Sequence, residues 1–137
     1  AVGCQMPAWI TQGFDYYIKQ LPSYVKFKLD EIPQKKYHSK ISPEKIKKDE
    51  SLDILKKIPD NCHIIALDRL GKPFSTIEIA HKIEHLKVES QNIVFLIGGA
   101  EGLDQSVLKM ADELWSFSAL TFPHPLMRVI LAEQLYR

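Results

Sequence analysis

The sequence predicts an α/β fold: a mostly parallel sheet with helices on both faces. Three observations carry that expectation. Ile93 to Ile97 is an unbroken apolar run, β-branched and aromatic, stopped by Gly98 and Gly99; a run without alternation fits a strand buried on both faces. His63-Ile64-Ile65-Ala66-Leu67 is a second such run. Between and after them lie segments of 10–15 residues with helical periodicity, the alternation that builds parallel sheets. At 137 residues, without internal repeat or linker, the chain reads as one domain, residues 1–137.

The elements follow in order. Ala1-Val2-Gly3 reads as the end of a strand meeting a turn. Pro7 opens a helix in which Trp9, Ile10, Phe14, Tyr17, Ile18 and Leu21 recur at helical spacing, and Pro22 ends it. Val25 to Ile32 alternates apolar and polar residues for most of its length, which predicts a strand with one wet face. Ser42 caps a helix with Pro43 at its first position, running through Ile46, Leu52, Ile54, Leu55 and Ile58 to Pro59. The strand at His63–Leu67 gives way to a loop at Asp68–Pro73. Ser75 or Thr76 caps a helix holding Ile79, Ile83 and Leu86. After Gly102, Asp104 or Ser106 caps another, and Leu114 to Ser118 is a short strand. The last helix, Leu126 to Arg137, is apolar around more than one face, so it needs two burial partners: the sheet, and the same helix of a second subunit across a twofold axis.

Composition excludes several classes. No apolar run reaches the roughly 20 residues of a membrane span. Two cysteines, Cys4 and Cys62, form no Cys-x-x-Cys pair, and a reducing cytoplasmic setting is expected. The net charge of +1 conceals an asymmetry: Lys19 to Lys57 holds eleven lysines against six acidic residues. Lys35, Lys36 and Lys40 lie in the densest part, which points to polyanion contact on one face. The competing reading is a solvated lysine loop.

The chemistry is narrowed mainly by elimination. His81 and His85 stand at i and i+4 but lack a marked third ligand, so no metal is expected. Cys62 and His63 are strand neighbours pointing to opposite faces, which argues for packing rather than an activated thiol. Gly-x-Ser-x-Gly, a phosphate-loop lysine motif and Gly-x-Gly-x-x-Gly are all missing. Three loops remain, after Leu67, from Gly98 to Gly102, and from Phe117 to Pro123. In a parallel sheet they open on one edge and together can wrap a small ligand. Ser118 to Phe122 offers backbone polar groups and small apolar walls, suited to a neutral adenine or a thioether and unsuited to a triphosphate.

Three stretches carry a resemblance: Leu96 to Leu103 (LIGGAEGL), Trp115 to His124 (WSFSALTFPH) and Arg128 to Arg137 (RVILAEQLYR). With Ala1-Val2-Gly3, Met6-Pro7, Trp9, Gly13-Phe14, Leu67-Asp68 and Gly71-Lys72-Pro73, they are similar to the RlmH (YbeA) family of SPOUT-class methyltransferases. Ala100 stands where that family more often has proline, and the family continues past Tyr136-Arg137 into a short tail with Tyr, His and Arg.

The resemblance implies S-adenosylmethionine-dependent methylation of N3 of a pseudouridine in 23S rRNA of the large ribosomal subunit. It also implies a C-terminal deep trefoil knot, with knot and cofactor site within residues 67–137, and a homodimer through the C-terminal helix. By position, the cofactor contacts would be Leu67, Gly98, Gly99, Ser118, Ala119, Leu120, Thr121, Phe122 and Pro123. His124 or Glu133 would accept the imide proton, while Arg128 or Arg137 would hold a phosphate or the developing anion. Lys35, Lys36 and Lys40 would touch rRNA phosphates. The alternative function is a non-catalytic RNA-binding domain with a vestigial pocket. A Rossmann-like nucleotide binder is disfavoured by the missing glycine motif and the lack of a suitably spaced acidic residue.

Overall fold

The computed structural model describes residues 1–35, 41–89 and 92–137. Its elements are α1 (Ala8–Ile18), α2 (Pro43–Leu55), β1 (Cys62–Pro73), α3 (Thr76–Val88), β2 (Asn92–Ile97), α4 (Gln105–Met110), β3 (Glu113–Ser116) and α5 (His124–Tyr136). The three strands form a parallel sheet in the order β2-β1-β3, with β1 central. Leu67 pairs with Ile97 on one side and Trp115 on the other, so the strands reach their carboxyl ends nearly level.

β1 sorts its side chains by parity. Ile64 and Ala66 join Ile54, Leu96, Leu103 and Val107 in one core cluster, against α2 and α4. Ile65 points the other way, into a cluster with Ile79, Leu86 and Trp115 under α3. Helices therefore cover both faces, which is why the strands can be continuously apolar. Trp115, 1% exposed, meets Phe74 and Phe95 edge-on at 5.3 and 5.8 Å and donates its indole N–H to Glu113 at 2.9 Å. Glu113 also accepts from Lys82 at 2.7 Å and lies 3.0 Å from His63 Nε2, so these polar groups brace the amino ends of the strands. Cys62 donates to the Pro59 carbonyl, and burial raises its thiol pKa.

The helix ends obey the capping chemistry of the sequence. Ser42 accepts from Lys45 N–H, with Pro43 inside the first turn of α2. Ser75 and Glu78 form a reciprocal capping box on α3, and hydrogen bonding from Ser75 lowers the Glu78 pKa. Ser75→Ala should lower stability by about 1 kcal/mol, measurable as a shifted denaturation midpoint with unchanged slope. α5 packs along α1, where Gly13 lets Val129 approach, and Tyr136 meets Tyr17 at 5.9 Å.

Two expectations are corrected. The strand expected over Val25–Ile32 pairs, among the described residues, only at Ile32, through a parallel bridge to Val2. A cavity of about 360 Å³ separates Lys26–Asp30 from the edge of β2, so the alternating segment has no neighbour to bond along most of its length. The loop expected at Asp68–Pro73 belongs to β1. The strand breaks register after Leu67, and Lys72 and Pro73 then rejoin β3 at Trp115 and Ser116. Gly71 permits the return, because a Cβ there would lie 2.6–2.7 Å from backbone atoms of Leu114 and Trp115.

Candidate functional site

The four residues between the two paired stretches of β1, Asp68 to Gly71, bulge outward at the carboxyl edge of the sheet. Asp68 Oδ1 accepts the Leu70 N–H at 2.8 Å and fixes their turn. The glycine turn after β2 closes on itself: Gly102 N–H donates to the Gly99 carbonyl at 3.0 Å, and Gly102 takes φ +79°. A Cβ at Gly98 would lie 2.6 Å from the Gly102 carbonyl carbon, so the turn tolerates no side chain there. The third loop is tied by hydroxyls, with Ser116 donating to the Ser118 carbonyl and Ser118 Oγ accepting from Leu120 N–H.

All three loops line one cavity of about 930 Å³. Leu67, Ile97 and Trp115 contribute from the strand ends, and Leu70 and Leu120 stand largely exposed among its lining residues. That volume suits a small organic ligand or cofactor. Its charged lining is balanced, with Lys47 and Arg69 against Asp68 and Glu101. Among the described residues, no group of three or more His, Cys, Asp and Glu side chains is placed to hold a metal.

Of the residues expected to contact a cofactor, Leu67, Gly98, Gly99, Ser118, Leu120, Thr121, Phe122 and Pro123 line this cavity. Ala119 is exposed and is not among the lining residues. Sequence reasoning missed Arg69 and Lys47 as lining residues. Arg69 adjoins Asp68, which it named, but Lys47 arrives from α2, and only tertiary structure brings it there.

The residues expected to be catalytic separate. His124 lines the cavity at the start of α5. Its pKa is lowered, first by burial and then by the positive charge of Arg128, so it is neutral at pH 7. Arg128 is 2% exposed and lies outside the cavity. Its guanidinium donates to Glu31 Oε1 at 2.7 Å, and to the Val2 and Gly3 carbonyls at 2.9 and 2.5 Å. Those bonds tie α5 to the amino-terminal segment. Glu133 and Arg137 pair with each other one turn apart. At 1.5 Å rise per residue they stand about 14 and 20 Å along α5 from His124.

Lys35 is half-exposed, and its ammonium pairs with Asp53 at 3.0 Å. Lys36 and Lys40 lie outside the described residues. Beside Lys35 the structure holds a residue that sequence reasoning passed over. Glu50 is 2% exposed, and its Oε1 accepts the Lys35 N–H at 2.9 Å. Burial raises its pKa, while the Lys35 hydrogen bond acts in the opposite direction. The available signal was its place in the stripe Ile46, Glu50, Ile54, a carboxylate on an otherwise apolar helix face.

The comparisons agree with this architecture. A family model described as a predicted SPOUT methyltransferase matches residues 1–137. Proteins called ribosomal RNA large subunit methyltransferase H are similar over the whole chain. The one from Saccharophagus degradans is 44% identical over 137 residues, and the one from Hahella chejuensis 39%; in each case the match covers 100% of this chain and 88% of the relative. That from Legionella pneumophila (strain Paris) is 43% identical over 136 residues, covering 99% and 87%. The chain belongs to the SPOUT methyltransferase family, among the RlmH proteins.

Proposed function

We propose that this protein is an S-adenosylmethionine-dependent methyltransferase acting on N3 of a pseudouridine in 23S rRNA of the large ribosomal subunit. The observation that carries the reading is the convergence of the three loops on one cavity at the carboxyl edge of a parallel sheet. The small and apolar residues Leu67, Gly98, Gly99, Leu120, Phe122 and Pro123 suit an adenosyl group. Lys47 and Arg69 with Asp68 and Glu101 suit a ligand bearing both signs of charge, as an amino-acid zwitterion does. The relatives are named as methyltransferases of large-subunit ribosomal RNA, which supports the choice of acceptor. In the fold this reading implies, the chain from about residue 67 onward threads a deep trefoil knot, and the protein works as a homodimer in the cytoplasm.

When bound, the sulfonium supplies a methyl group for in-line displacement by the imide nitrogen. The cavity walls would fix the direction from which the acceptor approaches the methyl group. The imide proton must leave as the C–N bond forms, and neutral His124, at the cavity wall, accepts it through a ring nitrogen. The charge of Arg128, which lies outside the cavity, helps burial to keep His124 unprotonated without touching substrate. Glu133 and Arg137, too far along α5 to share a site with His124 of the same chain, serve the partner subunit's site across the twofold axis.

The test is methylation of ribosomes from a strain lacking the endogenous enzyme, followed by mapping of the modified base. Methylation at N3 of a pseudouridine supports the reading; no methyl incorporation contradicts it. Lys35, Lys36 and Lys40 are read as phosphate contacts, with Lys35 exchanging Asp53 for the backbone of the RNA. Replacing all three by Ala should weaken ribosome association and reduce the slope of log affinity against log salt by about 2–3. An unchanged slope returns these lysines to the solvent.

A further inference from the structure

Lys47 reaches the cavity from outside its three loops. It stands in the second turn of α2, whose buried face carries Ile46, Glu50, Ser51 and Ile54. One turn on, Ser51 accepts the Asp104 N–H on its hydroxyl at 3.0 Å and so fixes this helix against the start of α4. Lys47 is half-buried, whereas Lys45 and Lys48 are exposed. It lines the cavity together with Gln105 and Leu108 of α4. Its charge also reaches Asp104, whose pKa is lowered first by hydrogen bonds from Ser106 and only lastly by Lys47. That carboxylate is already committed, because Asp104 Oδ1 accepts from the Ser106 N–H and hydroxyl at 3.0 and 2.7 Å. Among the described residues no carboxylate pairs with the Lys47 ammonium, although Lys35, Lys56, Lys82 and Arg128 are each paired.

The other cation of the lining, Arg69, is exposed on the bulge of β1, where water screens its charge. Lys47 is carried by a packed helix and shares the wall with Leu103 and Leu108, so an anion meeting it there is screened less. A half-buried ammonium without an internal partner, at the wall of a cavity otherwise suited to an adenosyl group, calls for an anionic group on the ligand.

We propose that Lys47 binds the carboxylate of the methyl donor's amino-acid end, so that the donor lies with that end toward α2 and α4. The inference rests on the function proposed above and goes beyond it by assigning one side chain to one group of the donor. The contact is a charge-assisted hydrogen bond from Nζ to a carboxylate oxygen. The loops recognise what all adenosyl thioethers share. Lys47 separates the donor and its demethylated product from those that lack the carboxylate.

The experiment is calorimetric titration of the whole chain with S-adenosylhomocysteine and with its decarboxylated analogue, which keeps the adenosyl group, the thioether and the amine. The unaltered protein should bind S-adenosylhomocysteine about ten-fold more tightly than the analogue, the worth of one charge-assisted hydrogen bond. Lys47→Met keeps an apolar stem; it should weaken S-adenosylhomocysteine about ten-fold and leave the analogue within about two-fold. Lys47→Arg should restore most of the preference. No preference in the unaltered protein, an undiminished one in Lys47→Met, equal weakening of both ligands there, or a preference lost in Arg69→Met instead, overturns the carboxylate contact alone. Failure of the unaltered protein to bind either ligand overturns the donor assignment and the contact together.

Discussion

Gly99→Arg is expected to weaken binding of the proposed donor, S-adenosylmethionine, about 100-fold while leaving the sheet folded. The first side-chain atom at this position would lie 2.7 Å from Glu50 Oε2 and 3.0 Å from Val2 Cγ1. Beyond it, a long guanidinium side chain has no room between α2 and the amino-terminal segment. Glu50 and Val2 are nearly fully buried, so even if the Glu50 carboxylate swings aside there is no space for the rest of the arginine and the turn must move. Gly98, Gly99 and Gly102 all line the cavity, and a shift of their backbone closes the space or removes its wall. Overpacking of this kind costs about 3 kcal/mol, and such a loss taken from binding is about 100-fold in affinity. Calorimetric titration against the donor checks it, with circular dichroism to verify the fold. Retained affinity would separate the glycine turn from the ligand.

Gly71→Ala carries the second large effect, on stability first and on binding second. Three backbone atoms of Leu114 and Trp115 occupy the place its Cβ would take, and backbone cannot rotate out of the way as a side chain can. β1 must either leave β3 or push it aside, and Trp115 with its ring contacts moves too. A loss of about 3 kcal/mol is expected, equivalent to roughly 10 °C in melting temperature for a domain of this size. The bulge carrying Asp68, Arg69 and Leu70 is held between Leu67 and Gly71, so donor affinity falls as well. A melting temperature within about 2 °C of the unaltered protein would contradict the tight return of β1.

The local signals were the legible ones. The buried strands at Ile93–Ile97 and His63–Leu67, the caps at Ser42 and Ser75, and the glycine stop after Ile97 each rest on residues adjacent in sequence. The three-loop site was legible because a parallel sheet puts every post-strand loop on one edge, whatever the pairing order. Gly71-Lys72-Pro73 could not be recognised as strand, since its pairing is decided by the distant Trp115 and Ser116. The Val25–Ile32 alternation was real in sequence, yet a strand also needs a partner, and among the described residues only Val2 supplies one, at Ile32. Arg128 illustrates the same limit: a charged residue one turn from a candidate base reads as catalytic, while its burial against Val2, Gly3 and Glu31 depends on contacts 97 to 126 residues away. Glu50 was overlooked because charge was counted along the segment rather than by helix face.

The crystal structure of the protein with S-adenosylhomocysteine tests the central claim most directly. Adenosyl density is expected between Leu67–Leu70, Gly98–Gly102 and Ser118–Pro123, with the sulfur directed toward His124. Density elsewhere, for instance in the cavity between Lys26–Asp30 and β2, or none at saturating ligand, would contradict the assignment of these loops to the methyl donor.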